Sequence, residues 1–331
     1  MNQRNTNLDF ARVIAVFAVV VLHVSARVVT ANPDVHSLAW WTGNIADVFS
    51  RWCVPIFVMI SGALLLPASA DLAPGAFYKR RMSRLFPVIA FWTLVYIVFR
   101  RYIDSTFSFS DAVKSIIKGT PYYHLWYLYM LIGLYFVTPF LRQLLSVIST
   151  NSLRLLIIGS FAIAALDSAS AFSSATFLPL FLPFIGYFLA GYYLSNISSA
   201  PRLLLMGSIA LACGLLVAIG TGTLLPSIGP RSFDLMYSFL NPLTIVMSLC
   251  VYLVLTRIPI RIGPLQQIAM ITPGIYVIHP LWSWILARHG ITGLLVHPII
   301  GIPTTALLVF ILSALSAALI ARIPFLRRTV S

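Results

Sequence analysis

Ten stretches of the chain are apolar and long enough to cross a membrane, taking about twenty residues per crossing. They fall at about 9–30, 46–66, 85–103, 124–148, 153–171, 177–195, 203–222, 237–256, 268–287 and 299–321. Short polar segments separate them, and most of those segments carry basic residues. Ser and Pro break up residues 167–183, so the fifth and sixth stretches are the least regular. The pattern predicts an all-α fold: a polytopic transmembrane helical bundle of about ten spans, with residues 1–331 as a single membrane domain. Val24-Ser25-Ala26 imitates a signal-peptidase site. Arg12 interrupts the preceding run, which is also too long for an h-region, so the first stretch is expected to be a retained span.

Orientation follows from the basic residues. With the N-terminus inside, the inner segments hold thirteen cations: Arg4, Lys79, Arg80, Arg81, Arg84, Arg142, Arg154, Arg202, Arg257, Arg261, Arg322, Arg327 and Arg328. The outer segments hold seven: Arg27, Arg100, Arg101, Lys114, Lys118, Arg231 and Arg288. The positive-inside rule therefore favours both termini in the cytoplasm. The 104–123 segment, with Lys114 and Lys118, is the main dissent.

Composition agrees with the hydropathy pattern. The chain is 60% hydrophobic and 9% charged, with mean hydropathy +0.94, whereas a soluble domain carries about 25% charged residues. The net charge of +14 raises the idea of nucleic acid. Cations dispersed in short loops between apolar spans fit membrane topology and anionic headgroups better, and no nucleic-acid partner is expected. Cys53, Cys213 and Cys250 lack metal-ligand spacing and are expected to be buried small hydrophobes. There is no phosphate-binding Gly loop, dinucleotide fingerprint or zinc pattern, and no metal is expected.

The first stretch carries the strongest chemical signal. Leu8 to Ser25 reads LDFARVIAVFAVVVLHVS, and Asp9, Arg12 and His23 are costly inside a membrane. Arg12 and His23 are eleven residues apart, which on a helix is roughly 20° past three full turns and about 16.5 Å of rise. Both are predicted on one face, Arg12 near the inner surface and His23 in the outer half. A long substrate with an anionic end and a reactive end would fit that spacing.

Other candidates lie along the chain. Asp47 and Arg51 are spaced i,i+4, which suits a local ion pair or the polar wall of an outward cavity. Pro55 is expected to kink the second span, and Ser61-Gly62 to allow a close helix approach. Residues 77–87, FYKRRMSRLFP, form the densest cationic stretch, read as a loop. It serves as a topology signal, or its clustered Arg as a phosphate clamp. His124 opens the fourth span beside Trp126 and Tyr127, and His279 lies about eleven residues into the ninth. By this topology His23, His124 and His279 all fall in the outer half.

Leu8-Asp9-x-x-Arg12-x-Ile14-Ala15 followed by His23 resembles the Arg-x10-His signature of the acyltransferase-3 family of integral membrane acyltransferases. Pro55-x-Phe57-x-x-x-Ser61-Gly62, Arg84-x-x-Pro87, His124-x-Trp126-Tyr127 and Tyr276-x-x-His279-Pro280 are similar to that family's landmarks in order and spacing. The resemblance covers essentially the whole chain, and the lack of an appended soluble domain makes it similar to the compact branch. It implies a membrane O-acyltransferase of the bacterial cytoplasmic membrane. The donor would be acyl-CoA, usually acetyl-CoA, and the acceptor a hydroxyl of a surface glycan or lipid-linked sugar. On that reading Arg12, Arg80, Arg81 and Arg84 would bind the CoA phosphates, and the pantetheine arm would run beside the first span. His23 would act as general base. His124, Tyr127, Tyr276 and His279 are candidates to orient His23 or polarise the carbonyl. No Ser or Cys has a recognisable activating neighbour, so direct transfer is simpler than an acyl-enzyme. A glycan exporter is the alternative from another class, since intramembrane Arg and His suit transport too.

Overall fold

A computed structural model of the chain describes residues 6–31, 34–67, 73–170, 176–197, 201–258, 263 and 265–330. Arg4 and Arg261, counted above among the inner cations, lie outside the described residues. The described residues are helical and turn-like, with no strand among them. In chain order the α-helices are α1 (Thr6–Ala31), α2 (Leu38–Val48), α3 (Cys53–Leu65), α4 (Pro74–Ile103), α5 (Phe109–Ile117), α6 (Trp126–Val147) and α7 (Thr150–Ser170). They continue with α8 (Ile185–Ser195), α9 (Leu203–Ile228), α10 (Arg231–Met236), α11 (Pro242–Arg257), α12 (Leu265–Met270), α13 (Thr272–Arg288) and α14 (Pro298–Ile320). A 3₁₀ segment, Leu178–Phe184, leads into α8, and another, Arg327–Thr329, follows α14.

Each of the ten expected stretches contains a helix. Eight helical segments among the described residues are long and apolar enough to cross a membrane, with Leu38–Leu65 counted as one. The other two are α11 and α13, of 16 and 17 residues. At 1.5 Å per residue they span about 24–26 Å, slightly less than a hydrocarbon core of about 30 Å. The chain is a polytopic helical bundle. Its outer surface is apolar, with Leu204, Leu211, Leu216 and Ile219 of α9 all exposed, as a lipid-facing helix requires.

The first span is also first in packing. Helix α1 touches α2, α3, α11, α12, α13 and α14. Its small residues Ala11 and Ala15 and its Val16 and Val20 are fully buried. The closest crossing lies next to it, between α3 and α8. A Cβ on Gly62 would sit 1.8 Å from the Phe188 carbonyl oxygen, and one on Gly191 would sit 1.9 Å from that of Met59. Two facing glycines let the backbones touch, and Ser61-Gly62 does bring the helices close.

Three local expectations change. Residues 77–87 are not a loop but the opening turns of α4, which starts with Pro74 and runs on through Pro87. Ala, Lys, Arg, Met and Leu there are good helix formers, and proline at the first turn costs no hydrogen bond. The second span breaks at residues 49–52, ahead of Pro55. Pro55 has no N–H to give Arg51, and short-range bonds from Ser50 to Asp47 and from Arg51 to Val48 bridge the gap. The 104–123 segment contains the amphipathic helix α5, begun by a capping box in which Ser108 and Asp111 exchange hydrogen bonds. Those bonds hold the Asp111 carboxyl below its ordinary range.

Two topology cations also close helix ends. The Arg142 Nε donates to the Leu65 carbonyl at 2.7 Å, and Arg257 donates to the Leu194 and Ile197 carbonyls after α8. Such carbonyls lack helical partners and favour a cation. Cys53, Cys213 and Cys250 are buried and free.

Candidate active site

The helical state of 77–87 decides which arginines meet. On α4, Arg81, Arg84, Leu85 and Val88 follow the i, i+3, i+4, i+7 rule and share one face. That face lines a cavity of about 550 Å³. Arg12 of α1 lines it too, with Phe57 and Ser61 of α3, Tyr127 and Tyr135 of α6, and Thr272 and Tyr276 of α13. Asp9, buried on the turn before Arg12, accepts from its Nη1 at 3.0 Å. The pair lowers the cost of placing a charge inside the bundle and fixes the guanidinium. Arg80 is about 100° round the helix from Arg81 but only about 40° from Arg84; it is exposed, as Arg84 is, and it does not line the cavity. Arg12, Arg81 and Arg84 therefore come together and Arg80 does not join them. Sequence reasoning missed a fourth cavity arginine, Arg327, which the segment after α14 delivers.

The second cluster lies further along α1. The His23 ring stacks on the His279 ring at 5.2 Å between centroids and 16° between planes. His124 meets His279 edge-on at 5.4 Å. Three imidazoles separated by more than 100 positions at each step thus pack as one group. His124 and His279 are buried, while His23 is half-buried and meets the exposed Tyr123 at 4.8 Å. Arg27, four residues beyond His23 and so on the same face, donates to the Ser283 carbonyl of α13 at 3.0 Å.

One ring has its tautomer fixed by the chain. Pro280 carries no N–H, so the carbonyl of Tyr276, four residues earlier, has no helical donor. The Nδ1 of His279 lies 2.6 Å from that oxygen. A carbonyl only accepts, so Nδ1 carries the proton and Nε2 is left as an acceptor. That Nε2 is buried without a hydrogen-bond partner among the described residues, while the His124 ring has the Val277 backbone beside it. Buried polar atoms are nearly always paired, and an unpaired one costs about 1–3 kcal/mol.

Tyr127 and Tyr276 stand between the two regions. Both line the cationic cavity, their rings are 5.6 Å apart, and the Tyr276 hydroxyl donates to the His124 carbonyl. The Tyr276 ring is 5.4 Å from that of His124. Arg12 shares the cavity wall with Tyr276 of α13, and His23 stacks on His279 of the same helix. His23 itself is not on the cavity wall.

The Asp47–Arg51 pair forms, at 2.6 Å. The Arg51 guanidinium also lies 4.0 Å over the Tyr237 ring and lines a separate cavity of about 490 Å³ with Ser168, Phe184 and Phe239. Among the described residues no three His, Cys, Asp or Glu side chains are grouped to hold a metal ion.

An arginine-lined cavity and a histidine cluster both lie along the first helix of a multi-pass membrane bundle. A family model described as an acyltransferase domain matches residues 5–322. The chain belongs to the acyltransferase-3 family and is a membrane acyltransferase. No curated protein and no solved structure matches it.

Proposed function

We propose that this acyltransferase moves an acyl group, acetyl by the family's default, from cytoplasmic acyl-CoA to a hydroxyl of a surface or lipid-linked sugar. The observation that carries the reading is that Arg12, Arg81 and Arg84 line a cavity together with Tyr276, whose ring meets His124 of the histidine cluster. Arginine suits phosphate through charge-assisted, often bidentate hydrogen bonds. CoA has phosphates at one end and a thioester at the tip of a thin arm. The phosphates would sit at the arginines, and the arm would reach Tyr127 and Tyr276. The surplus of inner-side cations supports the arginine end as the cytoplasmic one and the bacterial inner membrane as the location.

In this scheme the sugar hydroxyl comes to the half-buried His23 from the other side. His23 takes the hydroxyl proton as the oxygen attacks the thioester carbonyl. The C–S bond breaks, the proton returns to the sulfur, and CoA and the acylated sugar leave. His279, stacked on His23, would support that ring, and His124, Tyr127 or Tyr276 would polarise the carbonyl. A surface-polysaccharide acceptor would suit the compact branch of the family, to which the sequence is similar in the manner of the O-acetyltransferase of enterobacterial common antigen.

Membranes containing the protein, radiolabelled acetyl-CoA and a glycan acceptor test this reading. Label moving to glycan supports it. Glycan that crosses the membrane without gaining label would point to the exporter instead. A well-folded His23→Ala variant with normal transfer would remove His23 from the mechanism.

A further inference from the structure

The last ten residues of the described chain do not trail away from the bundle. Beyond α14 the chain turns back through Ile323 and Leu326, whose carbonyls accept from Arg327 N–H at 2.9 Å and Thr329 N–H at 2.8 Å. Val330 is fully buried and Thr329 nearly so. Two bonds tie this segment to two different walls of the cationic cavity. The Trp92 indole N–H donates to the Thr329 carbonyl at 2.9 Å. Trp92 lies on α4, one turn past the cavity residue Val88. The Gly274 N–H donates to the Val330 carbonyl at 3.1 Å. Gly274 lies in the first turn of α13, where amide protons have no helical partner, between the cavity residues Thr272 and Tyr276. A Cβ at Gly274 would come within 2.8 Å of the Val330 Cβ and 2.7 Å of the Ala317 Cβ. The position is shaped to receive the tail.

Held at both ends, the segment places Arg327 on the cavity wall beside Arg12, Arg81 and Arg84. The family match stops at residue 322, so this arginine comes from outside the matched region. Arginines on the wall of one cavity suit a ligand that carries phosphate, through charge-assisted and often bidentate hydrogen bonds.

We propose that the carboxy-terminal segment completes the donor site, with Arg327 binding a phosphate of the acyl-CoA and Trp92 and Gly274 acting as positioning residues that hold the tail in place. This rests on the donor assignment above and adds to it a ligand that no family motif contains. Trp92 does not line the cavity, so its effect on the donor would pass through the tail.

The test uses the full chain in detergent, with CoA binding followed by calorimetry and transfer followed with acetyl-CoA. Arg327→Ala should weaken CoA binding roughly tenfold or more, the scale of a lost charge-assisted hydrogen bond. The donor KM should rise in step, with a much smaller change in kcat. Arg327→Lys should recover part of the affinity. Trp92→Phe keeps the ring and removes the N–H, and it should raise the donor KM several-fold while leaving the acceptor KM unchanged. Thermal unfolding of each variant checks folding, and Arg327→Gln serves if the alanine variant is unstable. Wild type that binds CoA together with a folded Arg327→Ala or Arg327→Gln that binds it equally well overturns the inference and leaves the donor assignment standing. Wild type that does not bind CoA at all overturns both.

Discussion

The two ends of α1 solve opposite problems. At the Arg12 end, charge is plentiful and the cavity is open. Arg12 is offset by Asp9, and Arg81, Arg84 and Arg327 come from two other parts of the chain. At the His23 end no carboxylate is among the rings that meet, and three imidazoles pack against one another and against tyrosines. In the proposed mechanism one end holds an anion that never changes and the other moves a proton. Binding and chemistry would then be kept about three helical turns apart, with Tyr127 and Tyr276 between them. The separation predicts that mutations at the two ends alter different kinetic constants.

The largest effect is expected at the histidine end. His23→Ala should lower kcat by about 10²–10⁴, the range for a lost general base, and leave the donor KM within a few-fold of normal. Arg12→Ala should do the reverse, raising the donor KM strongly and weakening CoA binding. An Arg12→Ala variant with unchanged KM and collapsed kcat would break the comparison, because it would place Arg12 in the chemistry. Steady-state kinetics with acetyl-CoA varied at saturating acceptor separates the two outcomes.

A smaller effect sharpens the role of the His279 tautomer. Pro280→Ala restores an amide N–H four residues after Tyr276, and that N–H would compete with His279 Nδ1 for the same carbonyl. The helix itself should become no less stable, since an interior proline is usually costly. We expect kcat to fall roughly tenfold with an unchanged or higher melting temperature, about 1.4 kcal/mol of lost transition-state stabilisation. Loss of activity together with loss of stability would show instead that Pro280 shapes the fold. Full activity would show that the tautomer is immaterial.

The extent to which this site could be read in advance follows the physics of each part. Arg12 and His23 stand out because ionisable groups in an apolar run are expensive, and their spacing fixes one shared face. The helical stretches were legible for the same reason: about twenty apolar residues leave few alternatives in a membrane. His124 and His279 were visible as candidates, but only tertiary packing brings them to His23. The fixed tautomer was in fact written in Tyr276-x-x-His279-Pro280, since a proline at i+4 frees the carbonyl that the histidine then takes. Arg327 gave no such signal. It reads as one more inner-side cation until the tail folds back between Trp92 and Gly274. The arginines of residues 77–87 failed differently. Read as a loop, Arg80, Arg81 and Arg84 were equivalent, and only the cavity that forms against the helix tells them apart.

That difference makes the smallest prediction the most discriminating one. Arg80 and Arg84 carry the same charge four residues apart, both are exposed, and bulk electrostatic attraction of an anionic donor would treat them nearly alike. Direct contact would not, because Arg84 lines the cavity and Arg80, about 40° round the helix, does not. Exposed charges more than about 8–10 Å from a ligand are largely screened at physiological ionic strength. Arg80→Ala should therefore change the donor KM less than about twofold, a few tenths of a kcal/mol, while Arg84→Ala raises it roughly tenfold, the scale of a lost charge-assisted hydrogen bond. Both variants remove one positive charge from the same turn, so any effect on membrane insertion is common to both. Equal increases in KM would mean that the first turns of α4 act as a diffuse positive surface. A difference confined to Arg84, and retained at high salt, would mean that the donor is gripped by a directed set of hydrogen bonds inside the cavity.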